Sequence, residues 1–104
     1  MISDVITTHG GKYFQTLDAN GKKIAEKSEG EVGELLGFSS NCVLFRKANT
    51  YYVTYDENLK KIAESYAKHV GDFRNIAGST MTFQKDRYIV TYDVNFKKIS
   101  ERSA

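Results

Sequence analysis

Lys12–Glu26 reads KYFQTLDANGKKIAE, Thr50–Glu64 reads TYYVTYDENLKKIAE, and Arg87–Glu101 reads RYIVTYDVNFKKISE. With Tyr13, Tyr51 and Tyr88 aligned, eight positions are identical in all three copies. They are the tyrosine, Thr16/Thr54/Thr91, Asp18/Asp56/Asp93, Asn20/Asn58/Asn95, a Lys-Lys pair, Ile24/Ile62/Ile99 and Glu26/Glu64/Glu101. The spacings, 38 and 37 residues, are those of a repeat architecture. Whatever this chain folds into must use one local unit three times.

Each unit reads as β. YYVTY and YIVTY are rich in β-branched and aromatic residues, which suit a pleated, half-buried surface. The Asp-x-Asn that follows is turn chemistry, because both side chains bond nearby backbone and Asn tolerates positive φ. In the first copy Gly21 completes the turn as in a bulged hairpin. A further strand precedes each hairpin: VITTH at Val5–His9, CVLFRK at Cys42–Lys47 and TMTFQK at Thr80–Lys85. The expectation is a mainly β chain of three antiparallel three-stranded meanders, at about 3–28, 40–66 and 79–103, within one domain spanning 1–104. The linking segments GEVGELLGFSSN and KHVGDFRNIAGS also correspond, through Val32/Val70, Gly33/Gly71 and Glu34/Asp72. Val70, Phe73 and Ile76 have helical spacing. The shared glycine costs a helix about 1 kcal/mol, so a short strand or irregular link competes with a helix there.

A lone meander hides one face and leaves its edges open, so the units must be closed or covered. In strand content, turn and polar link to the next unit, the meander resembles a β-propeller blade over nearly the whole chain, without a WD or kelch signature. That resemblance implies a ring of four to eight blades. Three blades then require a second chain, and a two-fold dimer supplies six. The alternatives are a compact threefold fold such as a trefoil, or an α+β twisted antiparallel sheet covered by short helices near 31–37 and 66–77.

Apolar residues at 40% and charged residues of mixed sign at 27% describe a folded domain, not a disordered one. A net charge of +2 does not by itself point to nucleic acid. Cys42 is the single cysteine, so no intrachain disulfide forms, and a reducing compartment such as the cytoplasm is expected. MISDVITTHGG lacks the basic start and apolar run of a secretory signal, and no run approaches the ~20 apolar residues of a membrane helix.

A residue repeated three times serves one role three times, whereas a catalytic group is needed once. Asp18, Asp56 and Asp93 are therefore read as turn residues rather than calcium ligands. Leu59 and Phe96 replace the glycine of an oxygen-ligand loop, and no distal Glu follows. The lysine pairs are read as solubilising edge charges; their rival reading is a basic, tyrosine-lined array for nucleic acid or another polyanion. Tyr51, Tyr55, Tyr88 and Tyr92 share one face by period two, with Tyr13 and Leu17 in the first copy, and serve as core or as stacking platforms for sugars or bases. His9 and His69 are not equivalent and have no metal-ligand spacing, so no metal or cofactor is expected. Cys42 reads as a small buried hydrophobe.

Arg46, Arg74, Arg87 and Arg102 lie outside the shared pattern, and arginine favours interfaces and anion sites. The candidate ligand-binding residues are Arg46, Arg74, Arg87, Tyr51, Tyr88 and His69, with no catalytic residue assigned. P-loop, GxGxxG, GxSxG and HExxH motifs are absent. The expected function is binding of a small ligand, glycan or protein at a repeat or subunit junction of a homodimer. The alternatives are a small enzyme whose pocket crosses subunits and gathers Arg74, His69 or Cys42, and a nucleic-acid binder.

Overall fold

The computed structural model describes residues 1–103 and contains three antiparallel sheets in chain order. The first is β1 (Asp4–Thr8), β2 (Tyr13–Leu17) and β3 (Lys23–Ser28). The second is β4 (Glu34–Phe38), β5 (Val43–Lys47), β6 (Tyr51–Tyr55) and β7 (Lys61–Tyr66). The third is β8 (Asp72–Ala77), β9 (Thr80–Lys85), β10 (Tyr88–Asp93) and β11 (Lys98–Ser103). Each sheet is a simple meander, every strand pairing with its sequence neighbour.

The second and third sheets hold four strands, not the three expected from the sequence. The extra strands, β4 and β8, come from the linking segments. Each link forms one helical turn, α1 (Glu29–Val32) or α2 (Ala67–Val70), and then becomes strand. The expected covering helices near 31–37 and 66–77 are thus reduced to single turns, each of which contributes one buried valine to a core. The helical spacing of Phe73 and Ile76 has another cause. A bulge lies between Phe73 and Asn75, so Phe73 faces Phe83 in register while Ile76 faces Met81. One inserted residue shifts the period from two to three while both side chains stay on one face.

Gly33 and Gly71 end the two turns at φ +95° and +104°. Their N–H groups return to the Glu29 and Ala67 carbonyls. A Cβ on Gly33 would lie 2.5 Å from the Arg46 carbonyl oxygen, and one on Gly71 2.5 Å from that of Gln84. Only glycine allows both the backbone angle and the close approach to the next strand.

The hairpin turns follow the sequence reading. Asp18 Oδ1 accepts from the Asn20 and Lys22 N–H groups at 2.9 and 3.0 Å. Asp56 and Asp93 repeat this pattern with Asn58 and Lys60, and with Asn95 and Lys97. Gly21, Leu59 and Phe96 all take positive φ, at +76°, +56° and +61°. The last two are non-glycine residues in a costly region. Leu59 is fully buried and Phe96 packs against the core, and this burial offsets the strain.

The sheets stack face to face. One face of the second sheet, with Val43, Phe45, Val53, Tyr55 and Leu59, packs on Val5 and Phe14 of the first. Its other face, with Leu44 and Tyr52, packs on Met81 and Phe83 of the third. Phe45 meets Phe14 and Tyr55 edge-on at centroid distances of 5.1 and 5.5 Å. The equivalent Phe83 meets Tyr52, Phe73 and Tyr92 at 5.0, 5.7 and 5.7 Å. Val32 and Val70, from the helical turns, close the two cores. A hydrogen bond crosses each junction: Thr16 Oγ1 donates to the Glu57 carbonyl at 2.8 Å and Thr54 Oγ1 to the Val94 carbonyl at 2.7 Å. Both threonines are fully buried, so their hydroxyls require these partners.

Three stability measurements test this account. Gly71→Ala is expected to lower the unfolding free energy by more than about 1 kcal/mol in urea titration, because it adds both strain and a backbone clash. Thr54→Val should cost about 1–3 kcal/mol, since it removes the hydroxyl that pairs with the Val94 carbonyl across the junction. Thr91→Val, at the equivalent position without a following sheet, should change the stability of the isolated chain by no more than about 0.5 kcal/mol.

Candidate functional site

The two sheet junctions open into clefts at corresponding places. The cleft between the first and second sheets, about 600 Å³, is lined by Thr7, Phe14, Gly33, Glu34, Leu35 and Arg46. The cleft between the second and third, about 410 Å³, is lined by Arg46, Tyr52, Gly71, Asp72, Gln84 and Lys85, with Lys68 and Asp86 at its margin. Strand register makes these walls equivalent: Thr7 with Arg46, Phe14 with Tyr52, Glu34 with Asp72, and Arg46 with Gln84. Each cleft forms where a glycine brings the incoming strand against the next sheet.

Chemistry differs between the two. The first cleft is the more apolar, through Phe14 and Leu35. The second brings Arg46, Lys68 and Lys85 together with Asp72 and Asp86. Arg46 lines both. Its Nη2 donates to Glu34 Oε1 at 2.6 Å, and this bond raises the guanidinium pKa further. Its Nε is buried without a hydrogen-bond partner among the described residues. Tyr52 carries its hydroxyl across the junction and donates to the Gly71 carbonyl at 2.6 Å. Burial raises the Tyr52 pKa, with Arg46 opposing the shift.

A second pair of corresponding clefts lies toward the later strands. One holds His69, Tyr88, Tyr92, Lys98 and Glu101. Its counterpart holds Glu31, Tyr55, Lys61 and Glu64. Lys61 and Lys98 are paired with Glu64 at 2.6 Å and Glu101 at 3.2 Å. The repeated glutamate thus offsets one lysine of each of these pairs, which weakens any basic field along the sheets.

The structure brings His69 and Tyr88 together in one cleft. Arg46 stands apart from them, in the junction clefts. Tyr51 stacks on Tyr66 at 4.9 Å, and Tyr66 on His69 at 5.5 Å. Arg74 is exposed on β8, where its Nη1 donates to Gln84 Oε1 at 3.0 Å. Arg87 is exposed in the β9–β10 turn. Tyr52 was not singled out by the sequence reading, although it is the tyrosine that spans a junction. The alternation of YYVTY carries the signal, since it places Tyr52 and Thr54 on the face opposite Tyr51 and Tyr55. Cys42 is fully buried just before β5, and desolvation pushes its thiol pKa up to about 12. It is therefore a neutral packing residue near pH 7 and unsuited to nucleophilic work. No group of three His, Cys, Asp or Glu side chains among the described residues is placed to hold a metal ion.

No protein-family model matches the chain, and no curated protein is significantly similar to it.

The state of Cys42 is testable. Iodoacetamide should leave the native thiol unmodified at neutral pH and alkylate it rapidly in denaturant. The unfolded thiol ionises near the reference value of 9.0 while the native one stays protonated to about 12. The native state therefore binds the extra proton, and this group's contribution to stability is lost as pH rises through that window. Rapid native alkylation at pH 7 would contradict the burial.

Proposed function

We propose that this chain is a binding and interaction module with its ligand site in the junction clefts. On this reading its three meanders form one domain stacked like propeller blades. The chain is a cytoplasmic homodimer whose second copy covers the open end faces. The carrying observation is the recurrence of one cleft in equivalent residues at both junctions, with Arg46 in the walls of both. The buried, unpartnered Arg46 Nε supports a role in ligand contact. Repetition favours binding over catalysis, because it supplies similar surfaces side by side and not one unique reacting group. The cationic and carboxylate groups of the second cleft suit a small polar ligand or short glycan with both donors and acceptors. In this reading Tyr88 and His69, in the neighbouring cleft, offer an aromatic platform for an extended ligand, with Tyr51 stacked beside them through Tyr66. Arg74 and Arg87 contribute exposed donors outside the clefts.

Amide chemical-shift mapping tests the proposal, with a panel of short oligosaccharides and small carboxylates as probes. Saturable shifts are expected at Gly71, Asp72 and Lys85, and they should be lost in Arg46→Gln while that variant keeps its native spectrum elsewhere. Absence of saturable shifts at about 10 mM ligand, weaker than the usual range for specific sites, would remove the reading.

A further inference from the structure

The two internal junctions repeat each other, and their chemistry is left unfinished at both ends of the stack. At each one the middle-strand threonine of one sheet donates to the carbonyl of the residue after the turn aspartate in the next: Thr16 to Glu57, Thr54 to Val94. Thr91 is the third such donor. It is only partly buried, and its hydroxyl has no partner among the described residues. The corresponding acceptor on the first sheet is the carbonyl of Ala19, which follows Asp18 and is exposed.

The side chains around this donor and acceptor are matched as well. In the third sheet, register puts Thr82 and Ile89 where Leu44 and Tyr52 face forward in the second. In the first sheet, Asp4, Ile6, Gln15 and Leu17 stand where Val43, Phe45, Val53 and Tyr55 receive a neighbour in the second. Both end faces keep an apolar centre, Ile89 on one and Ile6 with Leu17 on the other. Their surroundings carry opposite charge. Arg74 and Arg102 outnumber Asp72 on the third sheet's exposed face, and Asp4 and Glu26 outnumber Lys23 on the first sheet's. Arg74, Asp4 and Glu26 have neutral local partners: Arg74 with Gln84, Asp4 with the Val5 N–H at 2.8 Å, Glu26 with the Gln15 amide at 2.5 Å.

We propose that the outer face of the third sheet docks head to tail on the first sheet of a second copy. Thr91 donates to the partner's Ala19 carbonyl, and Arg74 and Arg102 face the partner's Asp4 and Glu26. Two chains close on each other through two such junctions, so the contact is heterologous in its surfaces although the pair is symmetric. The inference rests on the self-association proposed above and adds its geometry. Because the end faces are more polar than the internal ones, the docking is reversible and salt-sensitive.

Light scattering and sedimentation on the intact chain decide it. Two variants reverse one face each: Asp4→Lys with Glu26→Lys, and Arg74→Glu with Arg102→Glu. Each alone should dissociate at a concentration at least about tenfold higher than wild type. Their equimolar mixture should restore the two-chain species, because one junction is then native and the other has both signs exchanged. Thr91→Arg, which blocks the face sterically, should be monomeric with an unchanged circular-dichroism spectrum; it keeps the test decisive where a charge variant folds poorly. A wild type that stays monomeric up to about 500 µM, far above the Kd of a stable dimer, would overturn self-association altogether. A dimeric wild type whose Thr91→Arg or single-face variants dimerise equally well would overturn the head-to-tail geometry alone.

Discussion

The stack depends on burying a meander's face against the next meander. Three or four short strands cannot stabilise themselves in water with both faces wet. With helices reduced to one turn, no second layer is present to cover them. Phe45 and Phe83 therefore sit at the centres of two equivalent aromatic clusters, each joining two sheets that have no strand pairing between them. Burial supplies the attraction, and the threonine-to-carbonyl bonds fix the offset between neighbours. A slip of one residue would separate a buried threonine hydroxyl from its carbonyl acceptor.

This arrangement also determines where a ligand can bind. Glycine at the end of each helical turn lets the incoming strand approach the next sheet at backbone distance, and a cleft opens beside that approach. Repetition produces the same cleft twice. Divergence at single positions then gives each its own chemistry: Thr7 against Arg46, Phe14 against Tyr52, Arg46 against Gln84. Repeated residues hold the scaffold and line part of every cleft, and the positions that differ among the repeats give the two junction clefts their separate chemistry.

Much of the local structure was legible because its causes are local. The aspartate of each turn accepts from backbone two and four residues ahead, within reach of its own side chain, so Asp-x-Asn identified all three turns. Burial of Cys42 was legible from its place at the head of an apolar strand. The linking segments were not, because Val70, Phe73 and Ile76 imitate a helical face through a bulge, and a bulge is defined by a partner strand. The candidate residues scattered for a similar reason. Arg46, Arg74 and Arg87 stand out by departing from the repeat, yet only stacking decides that Arg46 lines clefts while Arg87 stays in an exposed turn.

The amino-acid sequence alone determined the unit: strand, turn and returning strand, used three times, with alternating faces. Those features follow from side-chain periodicity and from hydrogen bonds spanning a few residues. Tertiary structure decided that the links become fourth strands, that both faces of the middle sheet are buried, and that Tyr52 rather than Tyr51 crosses a junction. Each of these depends on contact between residues far apart in the chain, and the free energy of such contacts is set by which surfaces meet, a quantity that no single segment contains.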